Sequence, residues 1–177
     1  MFAYRWAIWR QRMTDEAAPV YLDLQCSPAL EQVSSIRTFL ANYCAPLLND
    51  ADLVDRMAIA IHELLENASK YSARGWARLC VAVKPASSGP RLSIKVFNVP
   101  AAAHVEGLRA IMADVMRAAD PQEAYQDVIA ASALHNEGSG LGLARIRAEA
   151  GMSLSLTFEE EYACIEAVVV DTERGTQ

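Results

Sequence analysis

Lysine is scarce in this chain: three among 177 residues, beside thirteen scattered arginines. Aspartate and glutamate number 22, so the net charge is -6 and the pI about 5.1. Nucleic-acid binders draw most of their affinity from clustered Lys and Arg, and that balance argues against them. No apolar run approaches the ~20 residues that span a bilayer. There is no CxxC pair either. Cys26, Cys44, Cys80 and Cys164 lie far apart in apolar neighbourhoods, which reads as small core residues rather than disulfides or metal ligands. A reducing cytoplasm is the compartment that fits. Internal repeats and low-complexity stretches are missing. What is present is a 53% hydrophobic, 21% charged chain, enough for one domain with a sizeable core.

Residues 1–19 stand apart. "MFAYRWAIWRQRM" is aromatic and basic, without the apolar centre and small-residue cleavage site of a signal peptide. Two readings stay open. Translation begins at Met13, or Trp6, Trp9 and the arginines dock on a partner protein or on a second copy of the chain, a homodimer.

From residue 20 the pattern becomes regular. "VYLDLQC" (20–26) alternates as a half-buried strand does. Ser27-Pro28 offers an N-cap and first residue for a helix whose apolar face is Leu30, Val33, Ile36, Leu40 and Tyr43. Residues 48–50 break it, and a longer helix runs from about Asp52 to Ser72. "ARLCVAVKP" and "RLSIKVFNV" around the turn "ASSGP" predict a hairpin. Residues 101–133 read as a helical insert broken near Asp120-Pro121. "NEGSGLGLARIRAEAG" is a glycine loop opening a helix that Gly151 ends, and residues 153–170 form a closing hairpin. Paired strands adjacent in sequence, alternating irregularly with helices, predict an α+β fold: a two-layer sandwich with one mixed, mainly antiparallel sheet and helices on one face.

The stretch "HELLENASKYS" (62–72) admits three chemistries. On a helix at 100° per residue, Leu53, Met57, Ala60, Ile61, Leu64, Ala68 and Tyr71 share a broad apolar face. Glu63, Asn67 and Lys70 form a narrow stripe beside it, while His62 points nearly opposite. A zinc helix needs histidines at i and i+4, and position 66 is Glu. A phosphoacceptor histidine needs a two-helix stalk for which no chain remains. A magnesium-nucleotide site fits the spacing of Glu63, Asn67 and Lys70; a solvated flank with an ordinary Glu66–Lys70 pair is the bland alternative.

Downstream, Gly138, Gly140 and Gly142 lead into a helix start, where backbone N–H groups and the positive end of the helix dipole can receive an anion. No strand directly precedes this loop and no Lys-Ser/Thr follows, so it is neither a dinucleotide fingerprint nor a Walker loop.

"HELLENASKY" resembles the N-box, and "GSGLGL" the second glycine box, of the GHKL ATPase superfamily; the layout over about residues 20–170 is most similar to the anti-sigma-factor type of serine kinase. The resemblance implies a Bergerat-type ATP-binding domain at 20–171, between the extension 1–19 and a tail at 172–177, with the insert at about 101–133 where a mobile lid lies. It implies ATP and Mg²⁺ as cofactors, Glu63 as the base for an attacking hydroxyl, and Asn67 as the magnesium ligand. Lys70 would stand near the phosphates, and Gly138, Gly140 and Gly142 would wrap them. The family's first glycine box, D-x-G-x-G, is replaced by "NVPAA", which puts Asn98 in the place of the adenine-reading Asp. The closing strand has "EYACIEA" where a Gly-Thr pair is usual. The function implied is phosphorylation of a small STAS-type (anti-sigma-antagonist) partner on serine or threonine. The rival is a degenerate module without catalysis that acts by protein binding. A plain ATPase comes third, since no second domain is present for hydrolysis to drive.

Overall fold

The computed structural model describes residues 20–27, 29–84, 90–135 and 140–169, with 133–135 as backbone only. The order is β1 (Val20–Cys26), α1 (Leu30–Leu48), α2 (Ala51–Tyr71), β2 (Ser72–Lys84) and β3 (Arg91–Pro100), then α3 (Ala102–Arg117), α4 (Pro121–His135), α5 (Leu141–Ala148), β4 (Met152–Glu159) and β5 (Tyr162–Val169). The described strands form one sheet in the order β1-β2-β3-β5-β4. Its four ladders are all antiparallel, so the expected α+β two-layer fold stands with a sheet more uniform than "mixed".

Strand alternation decides where the core sits. Leu79, Val81, Leu92, Ile94, Val96, Ile165 and Ala167 turn one way and bury against Met57, Ile61, Leu64 and Ile146. The other sheet face is held by ion pairs between neighbouring strands. Arg78 grips Asp23 with two hydrogen bonds of 2.9 and 2.5 Å, and Glu166 takes Ser93 Oγ at 2.7 Å and Lys95 Nζ at 3.3 Å.

Local chemistry sets the helix ends. Asn49 takes the left-handed conformation (φ 49°), which Asn tolerates better than most residues, and Asp50 caps α2 by accepting from Leu53 N at 3.1 Å. At α1 the expected cap fails: Ala29 is the N-cap, and Ser27 instead donates its hydroxyl to Gly75 O at 2.6 Å, tying the helix entry to β2. In the insert, Asp120 Oδ1 accepts from Gln122 N (2.8 Å) and Glu123 N (3.2 Å) with Pro121 as first residue of α4, which explains the break.

The insert is part of the core. Met112 and Val115 of α3 are buried, and Arg147 of α5 donates to the carbonyls of Val115 and Ala118, closing the end of α3. The Arg109 guanidinium sits 4.0 Å from the centre of the Phe158 ring, a cation–π contact that pins α3 to β4.

Candidate functional site

The central helix α2 lies on β2 and β3 and buries Leu53, Met57, Ala60, Ile61, Leu64 and Ala68, as its periodicity predicts. Leu65 is buried as well, because α1 covers a second side of α2. His62 therefore does not face open water: it is half-buried, and its Nδ1 is enclosed with no hydrogen-bond partner among the described residues. Lys70 is exposed and pairs with Glu66 at 3.0 Å, away from the groups described next.

Between α2, β3 and α3 lies a cavity of about 120 Å³. Asn67 from α2, Asn98 from β3 and Gly140 at the entry to α5 all line it. Residues far apart in sequence thus converge where the α2 stripe meets the core edge. Asn98 is buried, since the β3 register that turns Ile94 and Val96 into the core turns position 98 the same way. Among the described residues, no side-chain hydrogen bond ties either carboxamide to the protein. Each amide offers a carbonyl acceptor and two N–H donors, so that capacity is left for a ligand. The rest of the lining is apolar apart from Tyr71 and His104, whose rings meet edge-on at 5.3 Å. Charged side chains are missing from the lining among the described residues.

The cavity is roofed by α3 through Ala103, Gly107, Leu108 and Ile111. Its volume is well below the roughly 300–1,000 Å³ of ordinary small-molecule sites. Gly140, at φ +92°, needs to be glycine twice over: the left-handed backbone disfavours a side chain, and a Cβ there would stand 2.8 Å from Ile111 Cγ2.

Glu63 lies next to this cavity rather than in its lining. It is 8% exposed, and its Oε1 accepts from Arg145 Nη1 at 2.9 Å. Arg145 also donates from Nε to Glu149 Oε2 at 2.7 Å. The hydrogen bond to Glu149, with that to Glu63, holds the guanidinium above its ordinary range. Tyr125 of α4 joins the cluster, with burial and the nearby Glu149 raising its hydroxyl. Glu63 Oε2 rests against the first turn of α5, 2.5 Å from where a Cβ on Gly142 would be. Gly142 is thus glycine because a carboxylate occupies its side-chain space. Gly138 lies outside the described residues.

Arg145, Tyr71 and His104 escaped the sequence reading. Tyr71 reads as core, and His104 has no motif around it. Arg145 follows Gly142 by three residues, so it returns toward α2 once the helix forms; only that spacing could have marked it.

No family model matches the chain, and no curated protein matches it. Among solved structures, a chain of the SiaB–SiaC complex from Pseudomonas aeruginosa shares the fold: TM-score 0.60 and 17% identity, over 96% of this chain and 98% of that one.

Proposed function

We propose that this protein is an ATP-binding regulator that transfers a phosphoryl group to a serine or threonine of a small protein partner of STAS type. The observation that carries this reading is the pair of free carboxamides, Asn67 and Asn98, opening on one cavity beside Gly140. The Asn98 amide, with one acceptor and two donors, can read the edge of a heterocycle, and Asn67 is left for the phosphate end. The neutral, mostly apolar wall suits a stacked base.

Asn67 offers a hard oxygen, which fits Mg²⁺. When bound, that ion neutralises phosphate charge. The chain's own residues do the rest. Glu63 has Oε1 held by Arg145, which leaves Oε2 beside the start of α5 to take the proton of the partner's hydroxyl. With ATP bound, the hydroxyl oxygen would bond to the γ-phosphorus as the bond to the ADP oxygen breaks. Positioning and charge neutralisation carry most of such a transfer. The backbone at Gly140 and Gly142 would face the phosphates; Lys70 would join them by leaving Glu66. A two-protein assembly containing a chain of the same fold supports a protein partner.

One observation favours a second reading, a module that binds protein without catalysis: α3 roofs the cavity down to about 120 Å³. A fluorescent-ATP titration with and without Mg²⁺, on wild type and Asn67→Ala, separates the two. The kinase reading expects Mg²⁺-dependent binding that Asn67→Ala abolishes, since the described lining offers no carboxylate to replace that oxygen. Wild-type binding unchanged in Asn67→Ala removes the magnesium role. No binding to either protein leaves the non-catalytic module.

A further inference from the structure

The helix α1 is apolar on two sides. Its inner side buries Val33, Leu40, Cys44 and Leu48. On its outer side Phe39, Tyr43 and Leu47 recur every fourth residue, at 60%, 47% and 40% exposure, with the Phe39 and Tyr43 rings 6.1 Å apart and Pro46 extending the stripe. Contiguous exposed apolar side chains of this kind mark a contact surface.

Three observations identify what covers it. The first is position. α2 runs over the sheet into β2, and β2 pairs antiparallel with β1 so that Cys26 faces Ala77 and Val20 faces Val83. Tyr71 therefore ends α2 at the Cys26 end of the sheet, and the Asn49-Asp50 turn lies at the Val20 end. Residues 1–19 join the fold at Val20, at the same end of the sheet as the half of α1 that carries the stripe.

The second is chemistry. Residues 1–12 interleave Phe2, Tyr4, Trp6, Ile8 and Trp9 with Arg5, Arg10 and Arg12 and contain no acid. The start of α2, which follows Leu47 after a short turn, carries Asp52, its side chain 79% exposed and 3.7 Å from Arg56 Nη1, and the exposed Asp55. The two sets are complementary in kind, aromatic to aromatic and base to acid.

The third is reach. The tether 13–19 spans up to roughly 25 Å when extended, whereas Phe39 to Leu47 covers only about 12 Å of helix. So short a tether gives an effective concentration in the millimolar range, which favours the chain's own segment over a second copy at ordinary concentrations.

We propose that the Phe39–Tyr43–Leu47 face of α1 is the docking surface for residues 1–12 of the same chain. The test is site-directed cross-linking in the full-length protein. In a Cys26→Ser background, Ala7→Cys is combined with Asn42→Cys, an exposed position next to the stripe, or with Ser155→Cys on the far edge strand as control. A short bis-maleimide should join 7 to 42 within one chain, at a rate independent of protein concentration and about tenfold or more above the 7–155 pair, as a tethered encounter implies. Adding Phe39→Ser and Tyr43→Ser should bring the rate down to the control level, with the circular-dichroism spectrum unchanged because both positions are exposed. Cross-links between chains that grow with concentration would assign the face to a second copy and overturn the proposal. So would a 7–42 rate equal to the control, or one indifferent to the two serines.

Discussion

Glu63 and Gly142 share one space: the glutamate's Oε2 lies 2.5 Å from the point at which a side chain on Gly142 would begin. The glycine of the loop-helix start and the acid of the central helix are therefore a matched pair, locked by Arg145 at 2.9 Å.

That pairing predicts a change of sign. A Gly→Ala substitution inside a helix normally gains up to about 1 kcal/mol. With Glu63 in place, the overpacking cost of about 1–3 kcal/mol wins, so Gly142→Ala should destabilise the protein. In a Glu63→Ala background the same substitution should stabilise it. Urea denaturation of the four proteins in a double-mutant cycle measures the coupling. Equal effects in both backgrounds would mean that the two residues do not compete for space.

Glu63→Ala separates binding from transfer. If Oε2 takes the hydroxyl proton, nucleotide affinity should survive while phosphoryl transfer falls about 10²–10⁴-fold. Arg145 keeps Glu149 as a partner, so the variant should remain folded. Parallel loss of affinity and transfer in a filter-binding and radiolabel assay would make Glu63 a structural or metal-holding residue.

Asn98 sets the choice of base. An amide can turn its oxygen toward the amino group of adenine or its N–H toward the carbonyl of guanine. Wild type should therefore bind ATP weakly and discriminate poorly against GTP. Asn98→Asp should shift the preference toward ATP by about 1–2 kcal/mol, the usual advantage of a charge-assisted hydrogen bond. Competition titrations with both nucleotides decide it; tight, selective ATP binding by the wild type would mean that adenine is read elsewhere.

The thiols report on the packing. Burial pushes Cys164 up to about 11 and likewise raises Cys26, Cys44 and Cys80, so exposure decides which of the four reacts first. Only the thiolate attacks a disulfide reagent, and at pH 8 a thiol of that pKa is ionised in about one molecule per thousand. Half-buried Cys26 should react first with an aromatic disulfide, and the other three only as urea unfolds the chain. Prompt reaction of all four in the native protein would show that the sheet opens readily.

Periodicity and punctuation carried the architecture. The alternation of residues 20–26, the 3.6-residue spacing in 51–71 and the break at Asp120-Pro121 are local signals, and each element they predict is present because local chemistry and burial agree there. The same spacing placed Glu63 and Asn67 at the edge of the core. What the chain could not reveal before folding depends on neighbours distant in sequence. Ser27 abandons its cap because Gly75 comes within 2.6 Å. Leu65 and His62 lose solvent because α1 covers a second side of α2. The insert joins the core, and its Ile111 meets Gly140, because α5 supplies Arg147 to the end of α3. Asn98 lines the same cavity as Asn67 only because the register of β3 against β2 turns position 98 inward. Propensity and hydrophobic period belong to a segment and are written in it, whereas a hydrogen bond or shared volume between segments exists only after the chain has brought them together.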